Sequence, residues 1–330
     1  MGILIVNPNP IFDRTISIVE LVPGAVIRTL DVELTAGGKG INVARVLRAL
    51  GRPAPLLIPV GVDDLPRYAD LLTREGAQFA TVSVPGGVRT ASIYLEQARS
   101  RVTVVNDAGS PMSPGDWSRV CAEVRGLVRP GDVVLCMGSF PPGLGPVALE
   151  ELIDTVHACD GRILVDTAPE WLAAALAHHP DAVTPNLDEA EAALQAGSAH
   201  VMDAHDLDAA TTRRRAEAAA RALVARGAVR AFVTGGAAGV AMAHEDAVTW
   251  MPAFPVHAVS TVGAGDSFVA GLASEWVRDD TTDHAVDWDR ALRAGIAAAA
   301  ASVEVVRAGG ADAARIAEIL AELSAQQVAS

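Results

Sequence analysis

Short, uninterrupted apolar runs alternate with alanine-rich helical patterns along most of the chain. The runs lie at 3–6, 56–60, 133–137, 163–165, 182–184 and 231–234, each bounded by Gly, Pro or Asp. A run that is apolar at every position, not every second one, belongs to a strand covered on both faces. The helical patterns lie at 41–50, 114–128, 146–158, 187–195, 211–225, 264–277 and 287–306. In the first of them Ile41, Ala44, Leu47 and Leu50 recur at helical spacing. Such alternation predicts an α/β fold of three layers, a mostly parallel central sheet with helices on both faces. Two stretches break the pattern. Residues 15–19 with 25–34, and 89–96 with 101–105, alternate polar and apolar positions and read as antiparallel hairpins. They predict a small β-lid, contributed by about 12–36 and 88–107, on a single domain spanning 1–330. The polar segment 197–215 reads as a mobile loop and helix start.

Half of the 330 residues are hydrophobic and a fifth are charged, which excludes a mainly disordered chain. No apolar run reaches 18 residues, and no basic region precedes the first strand, so neither a spanning helix nor a signal peptide is expected. The 26 basic residues face 40 acidic ones, for a net charge of −14. Such a surface repels nucleic acid and anionic membranes, so neither is an expected partner. Cys121, Cys136 and Cys159 are odd in number and lack CxxC spacing. That argues against a disulfide framework or a zinc site and favours a reducing, cytoplasmic setting.

Of the 26 basic residues only Lys39 is a lysine. It sits in Gly37-Gly38-Lys39-Gly40, at the entry to the first helix, where a compact ammonium can meet a phosphate and Asn42 can hydrogen-bond a hydroxyl. The spacing differs from a P-loop, since Gly follows the lysine. The stronger signal is Ser260-Thr-Val-Gly-Ala-Gly-Asp-Ser267, which also opens a helix. Small residues at Gly263, Ala264 and Gly265 present free N–H groups at a helix N-terminus, an anion site. Asp266 beside them makes chemical sense as a general base working next to developing phosphoryl charge. The competing readings are an ordinary glycine turn capped by Asp266, and a hydrolase with Ser267 as nucleophile. The second would need His284, which has no orienting pattern.

Asn186 and Glu189 lie three apart on one helical face and could hold water around Mg²⁺ near nucleotide phosphates, or simply begin a solvated helix. Asp13, just after the first strand, can accept hydrogen bonds from two sugar hydroxyls or serve simply as a turn residue. Arg28 and Arg89, on the lid, are candidate anion clamps or simply solvated surface arginines, and they rank below the glycine-rich motifs.

The segments GGKGINVARVLRALG at 37–51 and STVGAGDSFVAGL at 260–272 closely resemble the two signatures of the ribokinase-like (PfkB) sugar kinase family. NPIFD at 9–13, GSFPPG at 138–143, TPNLDEAE at 184–191 and VTGGAAGV at 233–240 extend the resemblance over most of the chain. The resemblance implies a ribokinase-like sandwich whose β-lid forms a homodimer contact. It implies ATP- and Mg²⁺-dependent phosphoryl transfer to a sugar hydroxyl, with Asp266 as base and Gly263, Ala264 and Gly265 as anion hole. Asp13, Gly37, Gly38 and Asn42 match sugar-binding positions. Asn186 and Glu189 match the motif near Mg²⁺, and Thr234, Gly236 and Gly239 match the nucleotide-side loop. Ser260, Lys39, Arg28, Arg89 and Ser139 are similar to the phosphosugar branch, which includes 1-phosphofructokinase and tagatose-6-phosphate kinase. Fructose 1-phosphate is then the expected acceptor, with fructose 6-phosphate or tagatose 6-phosphate beside it. Ala91 and Ser92 depart from that branch, and Thr184-Pro185-Asn186 looks more like ribokinase. A kinase for an unphosphorylated sugar or nucleoside, and a non-catalytic sugar-binding regulator, remain as alternatives.

Overall fold

The computed structural model describes residues 1–99, 101–195, 207–277 and 286–328. Thirteen strands among them form two sheets. In chain order these are β1 (Ile3–Val6), β2 (Ile11–Ile18), β3 (Asp31–Gly37), β4 (Leu56–Gly61), β5 (Phe79–Val84), β6 (Arg89–Glu96) and β7 (Arg101–Asn106). They continue as β8 (Val133–Met137), β9 (Arg162–Asp166), β10 (Ala182–Val183), β11 (Arg230–Thr234), β12 (Gly239–His244) and β13 (Ala247–Pro252). The helices are α1 (Lys39–Ala49), α2 (Leu65–Arg74), α3 (Pro114–Leu127), α4 (Val147–His157), α5 (Pro169–Ala175), α6 (Leu187–Leu194), α7 (Ala209–Ala225), α8 (Ala264–Trp276), α9 (Trp288–Val303) and α10 (Ala313–Val328).

The large sheet runs β13-β12-β11-β10-β9-β8-β1-β4-β5. Pairing is parallel from β11 to β5, and the β12–β13 hairpin closes one edge antiparallel. Two apolar cores lie on its two faces. On β1, Ile3 and Ile5 point into one core while Leu4 and Val6 point into the other. This is why the central strands read as unbroken apolar runs, and why the molecule has three layers. No described helix is long and apolar enough to cross a membrane.

The small sheet runs β3-β2-β6-β7. The second expected hairpin, 89–96 with 101–105, forms as β6 and β7. The first is shifted: its strands are 11–18 and 31–37, and 25–30 is irregular chain. Pro23 and Gly24 form a turn there, with the Ala25 N–H on the Val22 carbonyl, and regular pairing resumes only at the Ser17–Asp31 pair. The two hairpins join through parallel β2–β6 pairing, from Ile11 opposite Arg89 to Ile18 opposite Glu96.

Sequence reading missed β5, whose Thr81 and Ser83 dilute its apolar pattern, the short α2 and α5, the β12–β13 edge, and α10. In α10 the buried Ile316, Ile319 and Leu323 carry a helical spacing that was there to be seen. Residues 196–206, most of the expected mobile loop, lie outside the described residues, as does His284. The rest of that segment is α7, capped by Asp208, whose carboxylate accepts the Thr211 N–H.

Helix α8 carries Asp266 and packs closely against α9. A Cβ on Gly271 would stand 2.3 Å from the Ala294 carbonyl oxygen, so the helices approach backbone to backbone. Gly271→Ala should therefore force the two apart and cost about 1–3 kcal/mol, read as a lower denaturant midpoint. An unchanged midpoint would show that the crossing has slack.

Candidate active site

The carboxyl ends of parallel strands are where open α/β sheets bind ligands. Here those ends bring Asn7 (after β1), Gly138 and Ser139 (after β8), Asp166 (ending β9), Thr184 (after β10) and Thr234 (ending β11) to one rim. Asn7 Oδ1 accepts the Gly40 N–H at 3.1 Å, which ties the first glycine segment to the rim. The Gly138 N–H donates to the Asp166 carbonyl at 2.7 Å. Phe140 stacks on Trp171 with ring centroids 4.2 Å apart and holds the 138–143 loop against α5.

The two glycine-rich segments meet. Asn42 Nδ2 donates to Asp266 Oδ2 at 2.8 Å, across 224 residues of sequence. Gly263 caps α8 with φ 81°, a left-handed backbone that glycine adopts freely. The Ala264 N–H turns back to the Thr261 carbonyl at 3.3 Å, whereas the Gly265 and Asp266 N–H groups take no backbone partner. The Gly263 N–H likewise takes no partner, so Gly263, Gly265 and Asp266, more than Ala264, supply the open donors of the turn. Ser267 is fully buried and donates to the Gly263 carbonyl at 3.0 Å, so it has no access to a substrate as nucleophile.

Asp266 is 6% exposed. Burial drives its carboxyl up to about 7, Lys39 and the Asn42 amide oppose the rise, and Asp166 and Glu189 add to it. Lys39 Nζ donates to Asp166 Oδ1 at 2.5 Å, and Thr184 Oγ1 reaches Asp166 Oδ2 at 3.3 Å. Burial pulls the Lys39 ammonium down, but Asp166, Glu189 and Asp266 outweigh it and hold it above the usual lysine value. One ammonium thus faces three carboxylates. Its side chain still keeps 38% of its surface open.

On the small-sheet side, Gly37 lies directly against Asp13, and a Cβ there would stand 2.2 Å from the carboxylate. Burial raises the Asp13 carboxyl, while Arg45, Arg89 and Arg307 counter it. Arg89 Nη2 donates to the Asn9 carbonyl at 3.1 Å and approaches Ser139 Oγ at 3.4 Å. Its Nε is buried without a partner. Arg28 is exposed in the β2–β3 loop and bonds none of these residues.

Asn186 and Glu189 form a capping box. Asn186 Oδ1 accepts the Glu189 N–H, and Glu189 Oε2 accepts the Asn186 N–H, both at 2.9 Å. That leaves Glu189 Oε1 outside the capping box; burial raises this carboxyl, and the Lys39 ammonium opposes the rise. Among the described residues no cluster of three or more His, Cys, Asp or Glu could cage a metal. The donors present fit Mg²⁺ held through water and ligand oxygens, not a direct protein cage. Thr234 bridges to Asn186, which joins the start of α6 to the turn after β11. Gly236 lies open in that turn. Gly239 instead packs on β13, where a Cβ would meet the Met251 carbonyl at 2.3 Å.

Sequence reading missed Asp166, Asn7, Arg45, Glu75 and Arg307. For Asp166 the signal was present, as the acid closing the apolar run at 163–165. The others act through contacts that only the fold makes.

The chain belongs to the pfkB carbohydrate kinase family, whose model matches residues 7–314. It is 34% identical to a 1-phosphofructokinase of Xanthomonas campestris over 280 residues, 84% of each chain. To the 1-phosphofructokinase of Rhodobacter capsulatus it is 32% identical over 275 residues, 82% of this chain and 83% of that one. The tetrameric inhibited form of Escherichia coli phosphofructokinase-2 shares its fold with a TM-score of 0.85 at 25% identity, over 98% and 99% of the two chains.

An Asp carboxyl raised from 3.8 to about 7 binds its proton more tightly in the native state than in the unfolded chain. Its cost to stability is absent below the ordinary value and complete above about pH 7. Asp266→Asn should therefore raise Tm relative to the parent protein, by several degrees more near pH 8 than near pH 5. Equal gains at both would mean that Asp266 is not held up by its burial.

Proposed function

We propose that this carbohydrate kinase moves the γ-phosphoryl group of ATP to a hydroxyl of a phosphorylated ketohexose in the cytoplasm, with fructose 1-phosphate foremost. The observation that carries the reading is the Asn42–Asp266 hydrogen bond, which joins the two glycine turns at a buried carboxylate beside the open amides of the second. The names of the 1-phosphofructokinase relatives support the choice of acceptor.

In this reading Asp13, with Gly37, Gly38 and Asn42, orients the sugar hydroxyls. Asp266 removes the proton of the attacking hydroxyl, and the amides of the 263–266 turn take up charge on the transferring group. Lys39, among Asp166, Glu189 and Asp266, meets the phosphoryl group in transit. Arg89, whose buried Nε has no partner, and Ser139 meet the phosphate that the sugar already carries. Arg28 joins them only if the small sheet moves in as a lid. The adenine nucleotide lies over Thr234, Gly236 and Gly239. Glu189 and Asn186 hold Mg²⁺ through water, where the ion would neutralise phosphate charge. Residues 1–330 act as one unit. The exposed Val32, Val102, Val104 and Val105 on β3 and β7 support a homodimer through the small sheet.

ATP consumption measured across sugars and sugar phosphates should be fastest with fructose 1-phosphate. Preference for an unphosphorylated sugar or nucleoside would overturn the acceptor, and sugar binding without turnover would overturn the activity. Asp266→Asn should lower kcat by roughly 10²–10⁴. Arg89→Met should raise KM for the sugar phosphate far more than for its unphosphorylated parent. Equal rises would remove Arg89 from the phosphate role.

A further inference from the structure

Asn42 presents an amide whose two ends have nearly the same shape and opposite hydrogen-bonding character. Only the orientation with Nδ2 toward Asp266 supplies a donor to the carboxylate. We propose that Arg45 is a positioning residue for the transfer: its guanidinium fixes the Asn42 amide with the oxygen turned away from Asp266 and the NH₂ turned toward it.

Arg45 Nη1 donates to Asn42 Oδ1 at 2.9 Å, one helical turn along α1. A guanidinium has no acceptor, so the flipped amide would set its NH₂ against Arg45 and its oxygen against Asp266. Both contacts would then be repulsive, and the fork selects one orientation. The fork is itself fixed. Its Nε and Nη2 donate to the two oxygens of Glu75 at 2.8 and 2.9 Å, and Nη2 donates to the Ala36 carbonyl at 2.7 Å. Glu75 Oε1 also accepts Arg307 Nη2 at 2.8 Å. Arg45 is only 8% exposed, a costly place for a charge that does no more than bridge two surface groups. Ala36 adjoins Gly37, so the same side chain holds the end of β3 beside Asp13 and the amide beside Asp266.

The inference rests on Asp266 acting as base. It is tested by a double-mutant cycle, with steady-state kinetics on the sugar phosphate that the parent enzyme turns over fastest. Arg45→Lys keeps the charge and loses the fork; it should lower kcat about tenfold and leave KM for ATP within about twofold. In an Asn42→Ala background the same change should alter kcat less than about twofold, because nothing is left to orient. An undiminished loss in that background, or no loss in the single variant, overturns the proposal. The acid limb of kcat/KM gives an independent readout. Lys39, Asp166 and Glu189, which also face Asp266, are untouched, so a loosened amide should move the limb to higher pH. An unmoved limb overturns the role. Should Arg45→Lys fail to fold, Glu75→Gln loosens the fork from outside and must show a smaller effect with the same dependence on Asn42. Near-normal turnover by Asp266→Asn overturns the base assignment itself. A sensitive Asp266 with an additive cycle overturns Arg45 alone.

Discussion

A carboxylate almost without water has to be kept usable by the groups around it, and Asp266 is in that position. Left alone, burial would hold it protonated. One ammonium and one amide pull it back toward the ionised form, while two further acids push the other way. The balance near neutrality is what makes the group a candidate for proton removal, since a base works best when its affinity for protons matches its surroundings. Asn42 and Lys39 both stand on α1, so the chemistry of the second glycine turn depends on how the first is seated.

The three-layer fold supplies that seat. Parallel strands end on one rim, and their last residues are side by side without any long-range design beyond strand order. Asp166 anchors Lys39 from β9, Asn7 anchors α1 from β1, and the α8–α9 contact fixes the direction of Asp266. The first two anchors are hydrogen bonds to side chains at strand ends, and the third is close backbone packing of two helices. The small sheet then brings Asp13 and Arg89 from outside the three layers.

Much of this was legible in the residues. The central strands announced themselves because both faces are covered, and the two glycine turns because small residues before a helix expose donors. The small sheet was half legible. Its second hairpin is local and lies where the pattern puts it, whereas the first was drawn too far into 25–30, where Val26 and Ile27 suggest a strand but pairing starts only at Asp31. The capping box at Asn186 and Glu189 could be read in two ways from sequence, and the structure shows the capping half of it plainly. Arg45 could not be read at all. In the chain it is one arginine among 25, and its meaning comes from Glu75 and Ala36, neighbours created by folding.

The parallel contact between β2 and β6 carries a consequence of its own. Ile11 and Arg89 are partners although β3, β4 and β5, and the whole of α1 and α2, lie between them in sequence. A parallel pair so far apart gains little until its loop is already closed. Each hairpin can form early, but their joining has to await the main sheet. Joining of the two hairpins is therefore expected to follow the pairing of β1, β4 and β5, and until then the exposed valines of β3 and β7 stand on separate hairpins.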